Sequence, residues 1–350
     1  QVRQGGAIPG AYRNGQELLQ DLNLLRRSLA PQECRRLDDW CVQTATFGFF
    51  LARLDIRQES TLYHRVIGQL LQEPGYEAMS EDDKIAFLQT HKPQSSKSLD
   101  LVAQEAASLF RLLSWYQESY GGEQLGCHIL SMTHQAVDIL ALLWLQRHLA
   151  HGVNMPLVPL FETINDLQRG PDILRTLFSD PQYRDYLRSH GKDLQIVMVG
   201  YSDSTKDGGY LAANWGLYRS QQKMQEAAAE FGIKLRFFHG RGGALGRGGG
   251  PAARSILSLP RETTAEGLRL TEQGEVLSER YDDPPIAHRH LEQLLWSLLE
   301  VNAAPPQTIP DLWIESLNRL AEDSLTRYRQ LVEHPGFLDF LHLATPIQGV

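Results

Sequence analysis

Three shortages narrow the reading before any motif is considered. No apolar stretch reaches the roughly 20 residues needed to cross a bilayer, and Gln1 to Gly10 carries no signal-like apolar segment. Membrane association is therefore not expected. Cysteine is scarce: Cys34, Cys41 and Cys127 are odd in number and fit no metal-ligand spacing. Reduced thiols in a cytoplasmic protein are expected, not a disulfide framework or a zinc site. Positive charge is also short, with 34 Lys and Arg against 42 Asp and Glu and a formal net charge of −8. Bulk electrostatics therefore argue against nucleic acid or an anionic membrane as partner, and any bound anion needs a local cluster of Arg and Lys.

What is present is an ordinary globular composition. With 350 residues, 42% of them hydrophobic, the chain can bury a sizeable core in one large domain or two modest ones. It has no internal repeat, low-complexity tract or long linker. It begins with Gln, enters a helical pattern from Gly15 to Leu29, and ends at Ala344-Thr345-Pro346-Ile347-Gln348-Gly349-Val350. Both ends read as cuts through a larger protein.

A short apolar run followed by a polar cluster and then a helical stretch recurs along the chain. The runs are Phe47 to Leu54, Cys127 to Leu130, Pro156 to Leu160, Leu194 to Gly200, Leu235 to Phe238 and, more weakly, Leu268 to Leu270. Helical i, i+3, i+4 patterns cover Leu101 to Glu118, Ala136 to Leu149, Gly209 to Phe231 and Arg289 to Glu300. Strands alternating with helices predict a parallel sheet. Polar residues at successive strand ends suit a (β/α)₈ barrel, but a doubly wound open sheet binds ligands there too. After Tyr281 the pattern is mostly helical, from His290 through Phe340, and reads as packing around the sheet.

Four features carry candidate chemistry. The run Val197-Met198-Val199-Gly200-Tyr201-Ser202-Asp203-Ser204-Thr205-Lys206-Asp207-Gly208-Gly209 delivers an acid, Asp203, and a base, Lys206, from a buried strand to a helix N-terminus that favours an anion. The plainer alternative is that Asp203 caps a turn and Lys206 faces solvent. His239-Gly240-Arg241-Gly242-Gly243-Ala244-Leu245-Gly246-Arg247-Gly248-Gly249-Gly250 joins glycines, which let backbone N–H groups approach a ligand, to two guanidinium forks suited to phosphate or carboxylate. Its spacing matches neither a Rossmann fingerprint nor a Walker A loop, and a flexible linker or an RNA-binding RGG segment is the alternative. Glu162 ends the run from Pro156; alone it is more simply a solvated turn residue or a helix cap. Beside Asp203 it makes a hard oxygen site suited to Mg²⁺ or Mn²⁺. Arg57, taken alone, is half of a local salt bridge with Asp55 or Glu59.

Together these segments resemble the phosphoenolpyruvate carboxylase family. The two long runs look like its signature segments, and Leu54-Asp55-Ile56-Arg57-Gln58-Glu59-Ser60, Leu160-Phe161-Glu162-Thr163 and Leu268-Arg269-Leu270-Thr271-Glu272-Gln273-Gly274-Glu275 fit it in the right order. The resemblance covers essentially the whole chain. It implies a TIM-type (β/α)₈ barrel with many additional helices, incomplete here. On that reading residues 1–280 form the partial barrel and 281–350 a helical packing segment of the same domain. It further implies Mg²⁺ (or Mn²⁺) as cofactor, and carboxylation of phosphoenolpyruvate by bicarbonate to oxaloacetate and phosphate.

Carried over by position, Glu162 and Asp203 are the expected metal ligands. Arg57 and Arg241, with Gly242 and Gly243, are expected to hold the phosphate. Lys206 is the lysine of the signature, and Arg247 belongs to the loop that supports catalysis in the family. A homo-tetramer and inhibition by aspartate or malate are implied as well. The family's histidine segment Thr-Ala-His-Pro-Thr-Glu has no counterpart here, and its C-terminal part is absent. The isolated 350 residues are therefore expected to form no oxaloacetate and to fold poorly alone. The competing readings are a phosphotransferase-like barrel enzyme, which would need a phosphorylatable His, a nucleic-acid binder using Arg241 and Arg247, and a non-catalytic fragment.

Overall fold

The computed structural model describes residues 10–349 apart from 13, 95–98, 192, 241–251, 273 and 306–308. Among the described residues six strands form one parallel sheet: β1 (Leu54–Glu59), β2 (Leu125–Ser131), β3 (Leu157–Phe161), β4 (Leu194–Gly200), β5 (Lys234–Gly240) and β6 (Arg269–Thr271). Each strand pairs with its neighbour in sequence, in the order β1-β2-β3-β4-β5-β6. That order has no reversal, so these strands lack the switch point that defines a doubly wound sheet. The sheet instead curls into a half-barrel: Arg269 on edge strand β6 pairs with Asp55 on edge strand β1, and the same guanidinium reaches Cys127 on β2 at 2.9 Å.

The two faces are read off the period-two alternation of the strands. On the concave face Cys127, Ile129, Val158, Leu160, Ile196, Met198 and Phe238 form a small apolar cluster. The convex face carries the larger core against the helices, with Tyr63, Phe110, Leu130, Phe161, Val197 and Phe237 among its buried members. His128 points to that side, where its imidazole lies 2.6 Å from the Tyr63 hydroxyl; burial lowers its pKa to about 3, so the ring is a neutral core residue.

The helices after the strands largely follow the expected periodicity. Leu101–Tyr120, Ala136–Leu149 and Pro284–Ala303 contain the predicted segments, and the chain after Tyr281 continues in Asp311–Val332 and Phe337–Ala344. Two expectations need correcting. The apolar run from Phe47 is not a strand: helix Arg35–Phe47 ends there, and the chain turns through Gly48 at φ 53° and Leu51 at φ 62°. The strand begins only at Leu54, so Arg57 lies within β1 and not beyond it. Likewise Asp203 and Lys206 sit on the first turns of a helix, Ser202–Glu230, which breaks at Gly209. There φ is 76° and ψ 171°, a region essentially closed to residues with a Cβ. A Cβ at Gly209 would also stand 3.0 Å from the ring of Tyr328. Among the described residues no helix is long and apolar enough to cross a membrane.

Candidate active site

The carboxyl ends of β1 to β4 converge on the rim of the half-barrel, above the apolar cluster. Side-chain alternation does the placing. Asp55 and Arg57 share a face of β1, and Glu162 continues the inward face of Val158 and Leu160. The lower of these polar levels is the Asp55–Arg269 pair; there Asp55 also accepts the Cys127 backbone N–H at 2.8 Å, and Arg269 lies 4.2 Å over the Phe238 ring. The upper level is the candidate site.

At that level Arg57 does not pair with Asp55 or Glu59. Its Nη2 donates to Glu162 Oε1 at 2.8 Å, a contact spanning 105 positions of sequence. The other carboxylate oxygen, Oε2, accepts the Met132 backbone N–H at 3.3 Å, so Glu162 touches the ends of both β1 and β2. Its side chain is only 12% exposed whereas that of Arg57 is 54% exposed. Glu162 is thus neither a solvated turn residue nor a cap. The cap of the following helix, Ile164–Ser179, is Thr163, which forms a reciprocal capping box with Asp166.

Asp203 and Lys206 lie on the next unit, three residues apart on one helical face. Lys206 Nζ is 3.2 Å from Asp203 Oδ1, with both side chains more than half exposed. An exposed pair of this kind adds little stability, and both groups stay open to a ligand. The Gly200 backbone passes so close to Glu162 that a Cβ there would meet Glu162 Cγ at 3.3 Å. On β5 the imidazole of His239 lies 2.8 Å from the Tyr201 hydroxyl. Arg241, Gly242, Gly243 and Arg247 follow β5 directly in sequence but lie outside the described residues. Among the described residues no three or more His, Cys, Asp or Glu side chains gather as metal ligands. Two carboxylates suit a hard divalent cation only if water and substrate complete its shell.

Sequence reasoning missed a repeated rim device. The Asp at the third position of two successive helices reaches back to a histidine of the preceding unit. Asp138 holds His64 at 2.8 Å, and Asp166 holds His134 at 2.7 Å. Both aspartates complete capping boxes, with Gln135 and Thr163. The Thr163-x-x-Asp166 spacing is a capping-box signal in sequence, but nothing in sequence signals its histidine partner. The hydrogen bond from Asp166 raises the His134 pKa against the effect of partial burial. Burial pushes the Asp166 pKa up, but the bonds from His134 and Thr163 outweigh it and leave the carboxyl lowered.

A group whose pKa rises on folding stabilises the fold while it holds its proton. The His134–Asp166 contribution should therefore be full below the unfolded histidine value and fade as pH rises through the folded one. His134→Ala should cost more stability at about pH 6 than at about pH 9, given an unperturbed histidine pKa of about 6.5. Denaturant melts of the two proteins across that range check this, and a difference that does not vary with pH would contradict the pairing.

The family model for phosphoenolpyruvate carboxylase matches residues 6–350. A phosphoenolpyruvate carboxylase of Thermosynechococcus vestitus is 38% identical over 362 residues, covering 97% of this chain and 36% of that protein. One from Xanthomonas campestris pv. campestris (strain 8004) is 39% identical over 360 residues, covering 97% and 39%. One from Prochlorococcus marinus (strain MIT 9312) is 37% identical over 364 residues, covering 97% and 37%. The chain thus spans little more than a third of the length of these relatives. With its motifs in order along a parallel half-barrel, the chain belongs to the phosphoenolpyruvate carboxylase family.

Proposed function

We propose that this chain supplies the cation-binding carboxylates and part of the phosphate site of an enzyme that carboxylates phosphoenolpyruvate with bicarbonate. Its six strands would be the larger part of a (β/α)₈ barrel. The observation that carries the reading is the contact of Arg57 with Glu162 across the strand ends, which joins an anion-binding fork to a carboxylate expected to bind metal. Strand ends are where such a barrel assembles its chemistry.

The oxygen donors of Glu162 and Asp203 fit Mg²⁺ or Mn²⁺. When bound, the cation supplies positive charge where negative charge develops on the enolate oxygen. The chain's own residues do the rest. Arg57 and Arg241 hold the phosphate, and Lys206 offsets charge on the phosphoryl group as it moves. A bicarbonate oxygen attacks phosphorus and the bond to the enol oxygen breaks, leaving carboxyphosphate and the enolate of pyruvate. Carboxyphosphate then releases CO₂ and phosphate, and the enolate carbon attacks CO₂ to give oxaloacetate. The Gly-rich segment carrying Arg247 would keep water from protonating the enolate, which would waste it as pyruvate.

Arg57 has two roles to reconcile, since it now neutralises the carboxylate that the cation needs. It is the more exposed partner. Its transfer to an arriving phosphate would free Glu162 Oε1, making substrate and cation help each other bind. In the full-length protein we expect a cytoplasmic homo-tetramer inhibited by acidic metabolites such as aspartate or malate.

The test is oxaloacetate formation by the full-length protein from phosphoenolpyruvate, with and without bicarbonate. Bicarbonate-dependent product is expected; phosphoryl transfer to another acceptor without carboxylation would overturn the reading. In the same protein Glu162→Gln and Asp203→Asn should each weaken Mn²⁺ binding about tenfold or more, since each removes a charged ligand from a site with few. Unchanged Mn²⁺ affinity in both variants would remove them from the metal site.

A further inference from the structure

The end of β3 is held at Glu162 and just beyond it by one short segment of the next unit. Ser204 is fully buried, and its hydroxyl lies 2.6 Å from the Glu162 carbonyl oxygen, with the Gly200 carbonyl as second acceptor. Asp207, less than one helical turn further on, accepts the Ile164 backbone N–H through Oδ2 at 2.8 Å. Its other oxygen accepts from Arg329 Nη2 at 3.1 Å, on the helix Asp311–Val332. The Tyr328 hydroxyl of that helix donates to the Lys206 carbonyl at 2.9 Å. Ser204 and Asp207 flank Lys206, and Ser204 follows Asp203 directly. The residues expected to bind metal and phosphate thus alternate with residues that grip the backbone at Glu162 and Ile164.

This arrangement is more than helix capping. The capping box of Thr163 and Asp166 satisfies their own N–H groups and leaves that of Ile164 without a local acceptor, so Asp207 supplies one from the neighbouring unit, 43 positions away. A serine on a helix usually returns its hydroxyl to the carbonyl four residues back. Ser204 can do so with Gly200, yet it also reaches a carbonyl 42 positions away. The shared result is that, beyond the pairing of β3 with β4, two side-chain-to-backbone bonds tie the segment carrying Asp203 to the backbone at Glu162 and Ile164.

We propose that Ser204 and Asp207 are positioning residues that fix the Glu162 carboxylate relative to Asp203 and so set the affinity of the cation site. The proposal rests on the metal-binding role proposed above for Glu162 and Asp203. A bond that orients a ligand from outside the coordination sphere is commonly worth 10–100-fold in metal affinity.

The test is Mn²⁺ titration of the full-length protein, following the electron paramagnetic resonance signal of the free ion, which requires no turnover. Asp207→Ala and Ser204→Ala should each weaken Mn²⁺ binding about tenfold, at the low end of that range. Asp207→Asn retains an acceptor for the Ile164 N–H and should stay within about threefold of the parent. A purely structural role would lower the melting temperature of Asp207→Ala and Asp207→Asn without separating their affinities. The Asp207 pair therefore decides the matter even if Ser204→Ala does not fold. Glu162→Gln in the same titration separates the two claims. If it leaves Mn²⁺ affinity intact, the metal role itself fails. If it weakens Mn²⁺ binding while Ser204→Ala and Asp207→Ala match the parent, or Asp207→Asn falls as far as Asp207→Ala, the positioning role is overturned.

Discussion

A nearly buried carboxylate must be paired, and the way Glu162 meets that demand organises the rim. Charge taken out of water is costly unless an opposite charge and hydrogen-bond donors replace the solvent. Glu162 finds both on other strands: Arg57 from β1 and the Met132 N–H after β2. Its backbone is meanwhile gripped by Ser204 after β4. Four consecutive units therefore meet at one residue, and none of them can shift its strand end without unmaking a bond to it.

One layer down, a second polar contact spans the interior of the curved sheet. Asp55 and Arg269 face each other from the two edge strands, and their bond is what shows that the six strands wrap around a common interior. The concave face between these levels is apolar, with Ile129, Leu160 and Met198 beneath the rim. The floor of the half-barrel is therefore apolar while its mouth is polar.

Much of this was legible in sequence where periodicity dominates. Ala136–Leu149 and Leu194–Gly200 have the bounds their patterns predicted, because a buried helix and a buried strand each leave a long uninterrupted signal. β1 was misplaced for the opposite reason. Its inward positions are Asp55, Arg57 and Glu59, charged where a strand's alternation is usually apolar, while Phe47-Gly48-Phe49-Phe50-Leu51 imitates a strand in a turn. Motif reading brought Arg57, Glu162, Asp203 and Lys206 into consideration together. It could not show that Arg57 pairs with Glu162, since that bond depends on the sheet order. The tertiary contacts of Asp138, Asp166 and Ser204 were hidden for a related reason: each side chain also makes a local bond and reaches its distant partner only in the fold, while both side-chain bonds of Asp207 are tertiary.

The account's central claim is that cation and phosphate are held side by side at the ends of β1, β3 and β4. The most direct measurement is a crystal structure of the full-length protein with Mn²⁺ and a non-reactive phosphoenolpyruvate analogue, with the ion located by its anomalous scattering. The account predicts an ion at about 2.0–2.6 Å from carboxylate oxygens of both Glu162 and Asp203, with Arg57 turned from Glu162 onto the phosphate. An ion bound away from these carboxylates, or a phosphate held out of reach of Arg57 while the Arg57–Glu162 bond persists, would contradict it.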